Sequence, residues 1–269
     1  VNLRIKTAYN CCAVSTFRNG FVSTTALKYC IEMGARCLDF EIYSVNNKAV
    51  IGVNSDEKNI NMKESFNKID LVDVINVINI DAMNNNNSFI SNVPLILHFR
   101  MKTKNIPAYN DMTKQLRLLN AHIYNSSWEE EVKKDGKYII TVGENGVSKQ
   151  AEEKGLIYKP IFKKESGEIV IDNEFKKKII IIVDFSSVEN ESIIKKDTWE
   201  TNPIKMRYGE TGLFDIVHII SPSEFAECDS SSVVAAKGTT ELTNYNKKSV
   251  DKVLFIAPFA PRSAYCDDK

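Results

Sequence analysis

The sequence predicts an α/β protein built on parallel strands, read as a TIM-like (β/α) barrel, and three observations carry that prediction. A β-α-β unit opens the chain: a strand at 3–8, a helix at 23–33 and a strand at 36–43. Two later runs, 93–100 and 178–184, are almost continuously apolar, as strands buried on both faces are. With 269 residues and 43% apolar content the chain can fill one large core. Repeated buried strands, several of them separated by helices, favour a barrel over an open sheet.

Each element has a local reason. Residues 3–8 alternate apolar and polar side chains. In the helix that follows, Ser23 is the cap, Ala26, Leu27, Cys30 and Ile31 form an apolar stripe, and Gly34 closes the last turn. In the next strand Leu38, Phe40 and Ile42 alternate with Asp39, Glu41 and Tyr43, so both carboxylates leave one face. Two neighbouring acids are costly unless solvent, a cation or a metal meets them. That face therefore lines a site, although periodicity alone favours an edge strand with a solvated acidic face.

A polar turn at 44–48 leads to a short apolar run at 49–53. A second helix is predicted over 62–80, with Leu71, Val74, Ile75 and Ile78 on one side, and an Asn-rich linker follows at 84–92. After the strand at 93–100 a helix is expected at about 109–122. Residues 126–178 are the least regular, with strand-like pieces at 137–142 and 168–171, and read as an insertion into a single domain spanning 1–269. The strand at 178–184 ends on Asp184, and further strands are read at 216–220 and 252–258. In a barrel, Asn10, Asp39 or Glu41, Arg100 and Asp184 would gather at the strand C-terminal ends.

Composition excludes several classes. Lys plus Arg and Asp plus Glu balance at 35 each, so no long-range field favours nucleic acid or an anionic membrane. Cys11, Cys12, Cys30, Cys37, Cys228 and Cys266 make no CxxC pair and no ligand spacing with His98, His122 or His218. They read as free thiols of a reducing compartment, and no signal-peptide-like start or membrane-spanning apolar run argues for secretion or insertion.

The blocks Thr7-Ala8-Tyr9-Asn10, Ala26-Leu27, Gly34 through Tyr43, Ala49-Val50-Ile51 and Pro94 through Phe99 together resemble the X region of phosphatidylinositol-specific phospholipase C. The wording is most similar to versions encoded by large DNA viruses. The resemblance covers about the first 120 residues in order and spacing, and 178–184 more loosely. It implies a PLC-like phosphodiesterase barrel of about 250 residues or more. The long middle segment uses up length, so the barrel is expected to stop short at its C-terminal end or to be closed by other residues or a partner.

The resemblance also implies a chemistry: two histidines moving protons on an inositol phosphodiester, with calcium held by Asn, Glu and Asp in eukaryotic members. Carried over residue by residue, the first histidine position is Tyr9, and the neighbouring ligand asparagine is kept as Asn10. The acidic ligand pair falls on Asp39 and Glu41, the second histidine on or near Val53, and the last ligand, a glutamate, on Arg100. Both proton-transfer groups and one metal ligand are thus replaced. Arg100 is expected to pair with Asp39 or Glu41 where a cation would sit, leaving a degenerate site without a cofactor. His98 lies on the same strand face as Arg100, one pleat deeper, and reads as a core histidine; His122 and His218 read as structural, in a helix and a strand.

Three functions follow as expectations. The first is a catalytically inactive PLC-like barrel serving as a structural or binding component of a virus particle assembled in host cytoplasm, with capsid or other particle proteins as partners. The second is a working phosphoric diester hydrolase that uses calcium and groups such as Tyr9 and Arg100. The third is a phosphoinositide or lipid-headgroup binder using Arg36, Arg100, Lys102 and Lys104, although Lys102 and Lys104 also fit a solvated loop.

Overall fold

The computed structural model describes residues 4–14, 20–54, 60–62, 65–84, 93–124, 138–141, 157–160, 162–165, 168–171, 175–189, 203–213, 216–217, 219–221 and 254–256. Its strands are β1 (Arg4–Ala8), β2 (Cys37–Val45), β3 (Lys48–Gly52), β4 (Ile69–Asp70), β5 (Leu95–Met101), β6 (Tyr138–Thr141), β7 (Ile157–Pro160), β8 (Phe162–Glu165), β9 (Glu168–Ile171), β10 (Ile179–Asp184), β11 (Ile219–Ser221) and β12 (Leu254–Ile256). The main sheet runs β11-β10-β5-β2-β1-β12, every neighbour parallel, with β3 antiparallel on β2 and β4 antiparallel on β3. The order follows the chain from β1 to β11, and β12 returns beside β1. The described residues form a mixed α/β sheet, and among them no pairing joins β11 to β12.

Register sorts the side chains. β2 meets β5 with Asp39 opposite His98 and Glu41 opposite Arg100, and β5 meets β10 with Arg100 opposite Asp184. Paired residues of parallel strands share a face. One face therefore carries Asp39, Glu41, His98, Arg100 and Asp184. The other carries Leu38, Phe40, Ile42, Leu97, Phe99, Ile181 and Val183, which pack in one core with Leu27 and Ile31 of α1 (Thr24–Glu32), Leu71, Val74 and Ile75 of α2 (Leu71–Val77), and Tyr109, Met112 and Leu116 of α3 (Ile106–Leu116).

The ends of α1 follow the sequence prediction. Ser23 Oγ accepts from the Thr25 amide at 3.1 Å. At the other end Gly34, at φ +83°, lets its own amide reach Ile31 O and the Ala35 amide reach Cys30 O, the paired bonds of a glycine-terminated helix. The two-residue turn between β2 and β3 has Asn46 and Asn47 at φ +52° and +63°, the doubly left-handed geometry that matches hairpin twist.

Other predicted bounds are corrected. The helix expected over 62–80 begins only at Leu71, because Ile69 and Asp70 are spent pairing with Ile51 and Val50. It runs on as a π-helical turn, Ile78–Met83, that buries Ile78, Ala82 and Met83 and is closed by the Asn84 amide on Asn79 O at 3.1 Å. α3 starts three residues earlier than expected, with Pro107 in its first turn, and ends in a 3₁₀ turn at Arg117–Leu119. His122 is thus outside the helix; its carbonyl accepts from the Ile179 amide at 2.8 Å. Of the strands expected at 216–220 and 252–258, the described residues hold β11, which runs one residue further to Ser221, and β12; 218, 252–253 and 257–258 lie outside them.

Within the expected insertion at 126–178, β6 pairs with β7 and β8 with β9, apart from the main sheet. Most of the rest of that segment, together with His218, Cys228 and Cys266, lies outside the described residues. Among the described residues no helix is long and apolar enough to cross a membrane.

Candidate functional site: an arginine-centred cluster

β2 is an interior strand, and the expectation of a solvated acidic edge is corrected. β5 pairs along one side of it and β1 and β3 along the other, which leaves Asp39 3% and Glu41 0% exposed. Two ionised acids in that position need a positive partner. The register supplies Arg100, itself 4% exposed.

The guanidinium binds Asn10, Asp39 and Glu41 of the predicted site. Arg100 Nε donates to Asp39 Oδ2 at 3.1 Å and Nη2 to Asp39 Oδ1 at 2.8 Å, a bidentate fork. Nη1 donates to Glu41 Oε1 at 2.9 Å, and Nη2 also donates to Asn10 Oδ1 at 2.8 Å. The Tyr9 ring lies over the guanidinium with its centroid 4.3 Å from Cζ. The second oxygen of Glu41 accepts from the Tyr43 hydroxyl at 2.8 Å.

Asn10 takes part because its backbone turns left-handed, at φ +44°, just past β1. An asparagine tolerates that region better than most residues. Its amide N–H donates to Asp39 Oδ1 at 3.0 Å, and the next amide, of Cys11, donates to Asp39 O at 3.1 Å. Since arginine can only donate, the Asn10 atom facing Nη2 is the oxygen. Asn10 Nδ2 is then buried without a hydrogen-bond partner.

His98 belongs to this cluster, against its reading as a core histidine. Its Nδ1 lies 2.7 Å from Asp39 Oδ2. The carboxylate only accepts, so Nδ1 carries the hydrogen. Burial alone would raise the Asp39 pKa, but Arg100 and His98 together outweigh it and hold the carboxyl well below the ordinary carboxylate range. Burial likewise opposes the charge on Arg100, and Asp39, Tyr9 and Glu41 reverse that, raising its pKa above the ordinary value. The Tyr43 phenol is pushed up by burial and by the Glu41 carboxylate, so it stays a donor.

Sequence reasoning named Tyr9, Asn10, Asp39, Glu41 and Arg100, and the fold brings all five together. It missed the roles of His98 and Tyr43. Alternation placed His98 and Arg100 on one face, but only the cross-strand register sets His98 beside Asp39. Val53, the expected second histidine position, is buried in the apolar core. Asp184 stands level with Arg100 in register, and its Oδ1 accepts from the Ser186 amide at 2.7 Å.

The cations expected around a headgroup do not gather. Arg36 sits at the opposite end of β2, where Nη2 donates to Val93 O at 2.7 Å and Nε to Pro94 O at 3.4 Å. Lys102 is buried and donates to Ser187 Oγ at 2.8 Å, so it is not part of a solvated loop; Lys104 is exposed.

Calcium does not fit these residues. The oxygens it would need on Asn10, Asp39 and Glu41 already accept from Arg100, and a second cation beside the guanidinium would be repelled. Among the described residues no group of three or more His, Cys, Asp or Glu side chains is arranged to hold a metal ion.

No protein-family model matches the chain, and no curated protein sequence matches it. Solved structures are similar to it, three of them as follows. A crystal structure of PLC21 from L. pealei matches with a TM-score of 0.44 and 14% identity over 91% of this chain and 29% of that one. PLC21 from S. officinalis matches with a TM-score of 0.48 and 13% identity over 99% and 31%. A protein provisionally assigned as a glycerophosphodiester phosphodiesterase from Galdieria sulphuraria matches with a TM-score of 0.31 and 10% identity over 82% and 94%. The chain thus spans 29% and 31% of the length of the two PLC21 chains.

Proposed function

We propose that the chain is a PLC-like barrel whose calcium-dependent hydrolase centre has been replaced by a fixed internal cation, leaving a scaffold or binding domain. One observation carries this reading: the Arg100 guanidinium takes up Asn10, Asp39 and Glu41 together. The ordered blocks shared with the phospholipase C X region support the barrel, as does a parallel strand order that follows the chain and returns β12 beside β1. The lack of a histidine at Tyr9 and at Val53 supports the loss of proton transfer.

A place in a larger assembly, with particle proteins as partners, is the further part of this proposal. It rests on the sequence resemblance to large-virus versions alone, and mass spectrometry of purified particles tests it.

The test of the central claim is a phosphodiesterase assay on phosphatidylinositol and glycerophosphoinositol, with calcium and with chelator, beside thermal melting under both conditions. No turnover and an unchanged melting temperature are expected. Calcium-dependent turnover, or a clear stabilisation by calcium, would overturn the reading.

A further inference from the structure

Asn10, Asp39 and Glu41 take the Nε hydrogen of Arg100, one hydrogen of Nη1 and both of Nη2, four of the five donors of the guanidinium. The Tyr9 ring packs against the same guanidinium, with its centroid 4.3 Å from Cζ, and Arg100 is left 4% exposed. Tyr9 and Asn10 are consecutive. In an extended strand they would point to opposite sides, whereas with the left-handed turn at Asn10 both reach the same guanidinium, Asn10 through a hydrogen bond and Tyr9 through its ring.

We propose that Tyr9 is the lid of this centre: its ring, together with Asn10, forms one clamp that isolates the Arg100–Asp39–Glu41 group from water and from dissolved ions. The inference rests on the reading of Arg100 as the fixed cation of the site. It adds that Tyr9 is a positioning residue for that cation and that the aromatic face carries the role.

Hydrogen exchange of the Arg100 Nε–H, followed by NMR in the full chain, tests it. This proton is bonded to Asp39 in a buried group packed against the ring, so it is expected to exchange slowly. Tyr9→Phe keeps the ring and should leave the rate within about two-fold of wild type. Tyr9→Leu should speed exchange at least about ten-fold with the Asp39 contact still present, because local opening then exposes the group. Tyr9→Met gives the same reading if Tyr9→Leu does not fold. Exchange in the leucine or methionine variant as slow as in wild type would overturn the lid, as would a Tyr9→Phe variant as fast as either. Calcium added to the wild-type sample separates the two claims: a calcium-induced shift of the Arg100 Nε–H signal would count against Arg100 as the fixed cation, whichever way the variants exchange.

Discussion

His98 Nδ1 lies 2.7 Å from Asp39 Oδ2, which also accepts from Arg100 Nε at 3.1 Å, so one carboxylate oxygen joins the histidine of β5 to the arginine two residues further along the same strand. Replacing His98 by leucine removes one donor and leaves Asp39 its fork to Arg100. The expected loss is roughly 1.5–3 kcal/mol, the range for hydrogen bonds to charged groups, with the fold kept. Urea unfolding of the His98→Leu variant measures it, and a loss below about 0.5 kcal/mol would mean that the pair adds nothing beyond the fork.

Removing Arg100 should cost much more. Arg100→Met would leave Asp39 and Glu41 buried without their cation, a change worth roughly 3–5 kcal/mol. Arg100→Lys keeps the charge but loses the planar fork and most of the four bonds, so it should fall between wild type and Arg100→Met. Denaturant midpoints of the three proteins give the order, and an Arg100→Met variant as stable as wild type would contradict the buried pairing.

Acid should unfold the protein through Asp39. Its folded pKa lies below the unfolded value of about 3.9, so the stability it contributes is present above about pH 4 and is lost as pH falls towards the folded value. Urea midpoints measured between pH 6 and pH 3 should therefore drop most steeply at the acid end. The drop should be shallower in Asp39→Asn, and equal slopes in the two proteins would assign the acid sensitivity to other carboxyls.

Cys11, Cys12, Cys30 and Cys37 are all free and buried. Burial pushes the Cys30 thiol up to about 12 and raises Cys11 and Cys37 as well, so almost no thiolate exists near neutral pH. A thiol reagent such as DTNB should leave these four unlabelled in the native protein at pH 8 and label them in urea, with peptide mapping to assign the sites. Fast native labelling of Cys30 would contradict its burial.

Two glycines should respond for different reasons. A Cβ on Gly34 meets nothing within 4 Å, but the φ of +83° is strained for alanine, so Gly34→Ala should cost roughly 1–2 kcal/mol. A Cβ on Gly52 would sit 2.5 Å from Met62 Sδ and 3.4 Å from the Tyr43 ring. Gly52→Ala therefore requires Met62 to move, at a cost of roughly 1–3 kcal/mol. Thermal melts of both variants check this, and a Met62→Ala background should relieve the Gly52 change alone.

The sequence by itself determined what a short window of chain can encode. The two-residue period set both acids of β2 on one face, the Ser23 cap and Gly34 fixed the ends of α1, and continuous apolar runs marked β5 and β10 as buried. The strand pairing of Ile69 and Asp70 with Ile51 and Val50 has no signature in a short window, so periodicity places the start of the second helix nine residues too early. The tertiary structure alone decided that β2 is interior, that Asp39 meets His98 across 59 residues of chain, and that the Tyr9 ring packs against Arg100. These outcomes rest on register between distant strands and on one left-handed residue. A shift of register by a single residue would turn every one of these side chains to the other face.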